Sequence, residues 1–353
     1  MNIFTALLAE GPLTLPKLFP VIGPFLNMLV SWLGSMGWAV VIFTFAIKIL
    51  MSPLDYWSRV SMKKNSMKMD RMKPQLDKMQ KQYGHDRNLL QMKTMELYKK
   101  EGYSMFGACL PTIVSLIVFI IIFNAFNSYL KYNVIDGYNN MHAAWTQVGI
   151  EVEGELASDA AYNALTSDDE KAVYKDKKHA EAWAEEALSL KEMVMPEFLW
   201  IDNIWRPDVP WNKSVMNTSQ FLANAGLTEG TIDTQEYERI MAPFEEGNRA
   251  NGFLILPLLA VGLSILSQAI TNKTQKAQME LQGQQSSQKT MMVMMPLMMG
   301  FFTLMYTSAF ALYIVIGSIY SLLSTLLINK IVEKVFGKKL DEMEKNRRTS
   351  YRR

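Results

Sequence analysis

Four long stretches without a charged residue constrain this chain more than any other feature of its sequence. They contain 30, 29, 23 and 40 residues, at positions 18–47, 102–130, 250–272 and 290–329. A membrane-spanning helix needs about 20 apolar residues. Each of the first three stretches is therefore expected to hold one span, and the fourth to hold two spans joined by a tight turn at 306–308. Five spans exclude a soluble enzyme.

The basic residues indicate on which side of the membrane each connecting segment lies. Residues 51–101 carry 12 Lys and Arg, residues 273–289 carry 3 against one Glu, and the tail from residue 330 carries 9 against 4 acids. Cytoplasmic loops are enriched in Lys and Arg, so we expect the N-terminus outside and the C-terminus in the cytoplasm. Residues 131–249 carry 10 basic and 22 acidic residues, which is consistent with an external acidic region.

These patterns predict an all-α polytopic membrane protein with five transmembrane helices, a cytoplasmic helical hairpin and a mostly helical external insertion. The expected parts are an external N-terminus and interfacial segment (1–35), TM1 (36–57), the cytoplasmic hairpin (58–104), TM2 (105–130), the acidic extracytoplasmic insertion (131–250), TM3 (251–272), a cytoplasmic loop (273–289), TM4 (290–306), TM5 (308–329) and a basic cytoplasmic tail (330–353). No Lys or Arg precedes the short apolar stretch at 3–9 and no small-residue cleavage signal follows it, so we expect the N-terminus to be retained.

The cytoplasmic hairpin is predicted from apolar residues that recur at helical spacing. In the first arm they lie three or four residues apart: Met69, Met72, Leu76, Met79 and Tyr83. This spacing is typical of an amphipathic helix with a coiled-coil-like seam. Gly84 is expected to end the arm and Asp86 to cap the second arm at 88–100. The methionines either seal the two arms together or offer adaptable contacts to varied apolar partners, and composition leaves both readings open.

Lys48 is the single position that most suggests function. It is the only charged residue in the interior of the first span. Because a charge at the bilayer centre costs about 2.5–3.5 kcal/mol on insertion scales, such a residue is a functional candidate by default. The alternative is that its flexible stem lifts the ammonium to the inner headgroups without any further role.

Polar residues in the other spans suggest partners for Lys48. If the helix faces converge, these side chains line a hydrated cavity, and we predict a substrate-binding groove formed by Lys48, Ser115, Gln268 and Tyr313. Taken singly, each serine is better explained by a hydrogen bond between packed helices.

No pattern in the sequence supports catalysis, a cofactor or a metal site. His85, His142 and His179 lack the spacing of metal ligands, and the chain has no phosphate-binding glycine loop. Its one cysteine, Cys109, cannot form a disulfide within the chain. We therefore expect a protein that is not an enzyme and that does not bind DNA.

Several short motifs occur in order along the chain. They are W-A-V-V-I-F-T-F-A-I-K-I-L-M-S-P-L at 38–54, S-M-K-K at 61–64, M-K-P at 72–74, L-Y-K-K-E-G at 97–102, G-A-C-L-P at 107–111, F-L-W-I at 198–201 and M-M-P at 294–296. No single motif is decisive, but the ordered set resembles the YidC/Oxa/Alb family of membrane protein insertases. In that family a basic residue of the first core span, usually Arg, lies in a hydrophilic groove. Lys48 occupies the matching position.

The resemblance implies an insertase and chaperone of the bacterial cell membrane. Such a protein moves hydrophobic segments of nascent membrane proteins from the cytoplasm into the lipid bilayer, alone or beside the Sec translocon. The hairpin would receive nascent chains, and the basic tail would contact the ribosome. The residues alone leave an alternative, a small-solute transporter with Lys48 as counter-charge, although transporters usually show paired repeats and five spans divide poorly into equal halves.

The sequence departs from the family pattern at several places. Lys48 replaces the usual Arg, S-L-I at 115–117 replaces Q-M-P, and T-S-A-F at 307–310 replaces a glycine-containing pattern of the last hairpin. The external insertion is far longer than is typical, and the resemblance assigns it no role.

Overall fold

The computed structural model describes residues 12–102, 105–245, 247–281 and 285–350. The first eleven residues of the predicted N-terminal segment and the last three of the basic tail lie outside this range. Within it, twelve helices follow one another: α1 (Ile22–Leu33), α2 (Met36–Tyr83), α3 (Arg87–Lys100), α4 (Met105–Leu156), α5 (Ala160–Asn163), α6 (Asp168–Ser189), α7 (Lys191–Val194), α8 (Thr218–Ala225), α9 (Thr234–Glu245), α10 (Ile255–Leu281), α11 (Gln285–Met305) and α12 (Ser308–Ser350). Since β-pairing in the described residues consists of isolated bridges, the predicted all-α fold is confirmed.

The described residues include six apolar helical segments. Three are long enough to cross a bilayer by length and composition: Met36–Ser61 in α2, Ile113–Leu156 in α4 and Ser308–Ile328 in α12. Three are shorter: Ile22–Leu33, Ile255–Ile270 and Pro296–Met305. The protein is therefore an all-α membrane protein. The predicted third and fourth spans coincide with shorter segments, so the five-span topology stays a prediction.

The long helices continue past the boundaries that charge spacing suggests. Helix α2 runs unbroken through Pro53 and Pro74, from the first predicted span into the first arm of the hairpin. Helix α4 likewise continues from the second span to Leu156. The turn of the final hairpin lies where the sequence predicts it, because α11 ends at Met305 and α12 begins at Ser308.

Contacts divide the chain into two compact units. Unit 1 comprises the described residues up to Val40 together with those of Ile122–Ile255 and Thr303–Leu312. Unit 2 comprises the described residues of Val41–Ile121, of Leu256–Phe302 and from Tyr313 to residue 350.

In unit 1, the predicted external insertion folds around aromatic side chains. Trp183 of α6 is buried, and its Nε1 donates to the Ile240 carbonyl of α9 at 2.9 Å. The rings of Tyr138, Phe221 and Tyr237 pack on one another with centroids 4.9–5.7 Å apart. Aromatic pairs at these distances contribute packing energy beyond the area that they bury. The insertion is therefore a folded helical structure with its own core.

Also within unit 1, a loop of the insertion holds the first turn of α12. Ser308 donates its backbone N–H and its hydroxyl to the Arg206 carbonyl, at 2.8 and 2.6 Å. The Ala309 N–H donates to the Ile204 carbonyl at 3.0 Å. The first N–H groups of a helix have no partner within it, so the loop supplies acceptors that α12 lacks. The unusual sequence of the final hairpin is thus accommodated by its contacts with the insertion.

In unit 2, the hairpin closes on a small apolar core. That core consists of Met69, Met72, Leu76, Leu97 and Tyr98. Asp86 caps α3 as predicted, with its Oδ1 accepting from the N–H groups of Asn88 and Leu89 at 3.0 and 3.1 Å. Met92 and Met95 of the second arm are exposed. Met69 and Met72 of the first arm therefore seal the hairpin, whereas Met92 and Met95 face outward.

Candidate functional site

Lys48 of α2 packs against α12 within unit 2. A Cβ built on Gly317 would lie 3.0 Å from the Lys48 Cε and 3.6 Å from its Nζ. Thr44, one helical turn before Lys48, is fully buried, and its Cγ2 lies 3.9 Å from the same Cβ position. The lysine stem therefore crosses the face of α12 at a glycine, where the missing side chain leaves it room.

Two further contacts align the same helices. The rings of Phe45 on α2 and Tyr320 on α12 meet edge to face, with centroids 6.4 Å apart. Farther along, the Arg59 Nη2 donates a hydrogen bond to the Thr325 Oγ1. Because both residue numbers increase together from Lys48–Gly317 to Arg59–Thr325, the two helices pack in parallel along this face.

The four sequence-predicted groove residues all belong to unit 2. Tyr313 is buried and lies four residues before Gly317, so both occupy the same face of α12. Gln268 of α10 is half-buried and Ser115 of α4 is exposed. The structure thus associates Lys48 with the helix face that carries Tyr313, while the approach of Ser115 and Gln268 to Lys48 stays a prediction.

Sequence reasoning missed two charged residues that share a face with Lys48. Asp55 follows Lys48 by seven residues, and Arg59 follows Asp55 by four. In a helix of 3.6 residues per turn, these spacings bring all three side chains to one side. Asp55 therefore lies between the two cations along this face, and its carboxylate attracts both. The spacing was visible in the sequence, but Asp55 and Arg59 look like ordinary residues of a cytoplasmic helix end.

Thr325 and Gly317 left no comparable signal in the sequence. Thr325 is fully buried. Its hydroxyl accepts from Arg59 and donates to the Ser321 carbonyl at 2.6 Å. The Nε of Arg59 is buried, and no described residue accepts a hydrogen bond from it. We call the face of α2 that carries Lys48, Asp55 and Arg59 the stripe. At its Arg59 end, the guanidinium Nη2 donates to Thr325, whereas its Nε meets no acceptor among the described residues.

The charges of the stripe determine what it attracts. Two cations and one carboxylate give a net charge of +1 along this face of α2. Charges away from bulk water interact more strongly than they do in solution, so a negatively charged or strongly polar group is favoured here. Among the described residues, no group of three or more His, Cys, Asp or Glu is arranged to hold a metal ion. The arrangement is suited to electrostatic binding.

The chain matches a protein family over most of its length. The model of the 60Kd inner membrane protein family covers residues 28–335. Among curated proteins, the membrane protein insertase YidC of Roseobacter denitrificans is 39% identical over 94 residues, or 27% of this chain and 15% of that protein. The YidC of Wolinella succinogenes is 35% identical over 115 residues, or 31% of this chain and 20% of that protein.

A shorter relative is matched over a larger share of its length. The membrane protein insertase YidC of Fusobacterium nucleatum is 34% identical over 103 residues, which are 29% of this chain and 48% of that protein. The aligned segments therefore span less than half of each of these relatives. Together with the family match and the helical membrane architecture, they confirm the resemblance found in the sequence. The chain belongs to the 60Kd inner membrane protein family.

Proposed function

We propose that this protein is a membrane protein insertase. It accepts apolar segments of newly made membrane proteins on the cytoplasmic side and passes them into the lipid bilayer, alone or with the Sec translocon. The Lys48 side chain attracts the polar or acidic part of the incoming segment that must cross the membrane. The names of the YidC relatives support this function, and the contact between Lys48 and α12 supports the role of Lys48.

The observation that carries the proposal is the placement of Lys48 against Gly317. A lysine that only snorkels extends along apolar surface toward water. Here the stem instead lies on a neighbouring helix, in a stripe that also includes Asp55 and Arg59. An acidic substrate residue is costly to desolvate, and a nearby cation lowers that cost.

The topology belongs to the same proposal. The protein crosses the bacterial inner membrane five times, with its N-terminus outside and its C-terminus in the cytoplasm. In this arrangement the hairpin of α2 and α3 projects into the cytoplasm, where Met92 and Met95 offer flexible apolar contacts to a nascent chain. The basic tail contacts the ribosome.

Insertion by the purified protein in liposomes tests the role of Lys48. The substrate is a small single-span protein with one acidic residue in its translocated segment. We expect Lys48→Ala to reduce its insertion and Lys48→Arg to retain it, because Arg keeps the positive charge. The exposed Lys64 on the same helix provides the matched control, Lys64→Ala. Unchanged insertion by Lys48→Ala contradicts the proposed role.

Crosslinking tests where the substrate passes. A photoreactive residue at Ser115 or Gln268 should crosslink to a stalled nascent chain if both line the groove. Ile150 is exposed on α4, the helix that also carries Ser115, and lies within the insertion, so it serves as the control position. Equal crosslinking at Ile150 and Ser115 contradicts a defined path.

A further inference from the structure

If the groove served only to attract acidic substrate segments, the presence of the Asp55 carboxylate beside Lys48 and Arg59 would have no explanation. A groove that only captured carboxylates would bind them best with Lys48 and Arg59 unopposed. Instead, the helical repeat places Asp55 between these cations on one face of α2, where its carboxylate attracts both. At about 1.5 Å of rise per residue, it lies roughly 10 Å along the helix from Lys48 and roughly 6 Å from Arg59.

The stripe is anchored at both ends by α12. Gly317 receives the Lys48 stem, and Thr325 accepts a hydrogen bond from Arg59. These contacts restrict how far either cation moves away from Asp55. Within the described part of the chain the buried Nε of Arg59 meets no acceptor, so the cationic end offers a donor to an entering acceptor group.

We infer that Asp55 is a specificity-determining residue of this groove, a resident counter-charge that moderates the binding of acidic substrate segments. With Asp55 ionised, the stripe carries a net charge of +1. An entering carboxylate is attracted by the cations and repelled by Asp55, so it binds without being held as tightly as two unopposed cations would hold it. Neutral polar segments are little affected by Asp55. The inference rests on the proposed function and adds that Asp55 narrows the difference in affinity between acidic and neutral segments.

The size of the effect follows from Coulomb's law. At an effective dielectric constant of about 20, removing a unit charge about 10 Å from a bound carboxylate changes its affinity by roughly tenfold, or about 1.4 kcal/mol. The corresponding change for a neutral segment is small. The ratio of the affinities for the acidic and the neutral segment therefore reports the effect of Asp55 and is insensitive to a general change in binding.

Equilibrium binding of two matched peptides to the full-length protein in lipid nanodiscs tests the inference. The peptides share one apolar span and differ by a single Asp or Asn in the polar segment that precedes it. We expect Asp55→Asn to raise the preference for the Asp peptide by roughly tenfold and Asp55→Glu to restore the wild-type ratio. Asp77→Asn changes an exposed carboxylate on the same helix and should leave the ratio unchanged.

A double-mutant cycle tests the link between Asp55 and Lys48 without any substrate. Thermal unfolding is compared for wild type, Lys48→Ala, Asp55→Asn and the double variant. If the charges are coupled, the double variant loses less than the sum of the two single changes, because neither leaves the other charge uncompensated. Strictly additive shifts contradict the coupling.

The outcomes separate this inference from the proposed function. If the Asp peptide is preferred through Lys48 but Asp55→Asn leaves the ratio unchanged, the role of Asp55 is wrong and the insertase groove is unaffected. If neither peptide binds the wild-type protein, the proposed groove is wrong, and the substrate role of Asp55 with it. The unfolding cycle then still decides whether Asp55 and Lys48 are coupled.

Discussion

Lys48 lies against α12 because residue 317 has no side chain. A Cβ at Gly317 would lie 3.0 Å from the Lys48 Cε, closer than an ordinary van der Waals contact between carbon atoms. The two residues are far apart in the sequence and belong to different predicted spans. Their contact makes Gly317 a determinant of where the ammonium lies.

Larger side chains at residue 317 should affect the melting temperature and the insertion activity differently. Gly317→Ala gains helix propensity of about 0.8–1.0 kcal/mol, so its melting temperature should stay the same or rise. Gly317→Val should displace the lysine farther and lower insertion in liposomes roughly tenfold, as expected if the displaced ammonium loses about 1.4 kcal/mol of attraction. A Cβ at Gly262 on α10 would meet no atom within 4 Å, which makes Gly262→Val the control. Wild-type insertion by Gly317→Val contradicts the positioning role.

Replacing Thr325 should destabilise the packing of α2 on α12. Thr325→Val keeps the shape but removes the acceptor of the Arg59 Nη2. Leaving a buried donor without a partner costs about 1–3 kcal/mol. We expect a lower melting temperature in detergent for Thr325→Val and a near-normal one for Thr325→Ser, which retains the hydroxyl. Equal melting of the two variants indicates that the hydroxyl contributes nothing.

Tyr237 should make the protein sensitive to alkaline pH. Its hydroxyl donates to the Met216 carbonyl at 3.0 Å, and burial raises the pKa of the phenol above its ordinary value. The folded protein therefore keeps this proton when an unfolded chain, with a pKa of about 10, has begun to lose it. The stabilisation is fully present below about pH 10 and is lost as the pH rises toward the folded-state pKa.

Melting curves between neutral and strongly alkaline pH test this dependence. Tyr237→Phe should cost about 0.5–1.5 kcal/mol at neutral pH, because the Met216 carbonyl loses its donor. The difference between the variant and the wild type should shrink as the pH rises above the phenol's unfolded-state value. A constant difference across that range shows that ionisation of Tyr237 is not coupled to unfolding.

Ser308 should control how firmly the first turn of α12 is held. Ser308→Ala removes the hydroxyl bond to the Arg206 carbonyl and leaves the backbone bond in place. We expect a loss of about 0.5–1.5 kcal/mol, seen as faster amide hydrogen exchange in the first turn of α12. Ser318→Ala is the control, because its hydroxyl donates to the Ile314 carbonyl of its own helix. Equal exchange in the two variants contradicts a role for the loop contact.

Sequence reasoning worked where a local pattern reflects a local physical requirement. The apolar seam through Met72 and Leu76 placed the hairpin, and Asp86 caps α3 as its side-chain chemistry predicts. The turn before Ser308 also lies where the uncharged stretch is too long for one helix. Each of these features depends on residues within a few turns of one another.

The same reasoning was weaker for the candidate site. Lys48 was identified because a charge among apolar residues is costly wherever the helix packs. Asp55 and Arg59 were overlooked, although their spacing places them on the same face. Gly317 and Thr325 were not predictable, since a glycine or threonine in an apolar helix is compatible with many packings.

The amino-acid sequence by itself determined the membrane class, the helices and the presence of a charge within a span. These properties follow from the thickness of the bilayer and the helical repeat, which act on consecutive residues. The tertiary structure decided which helix faces Lys48, what lies beneath its stem and how the insertion folds around Trp183. Those contacts join residues that lie far apart in the chain. They depend on how the shapes of the side chains fit together in a closely packed interior, which no short sequence pattern specifies.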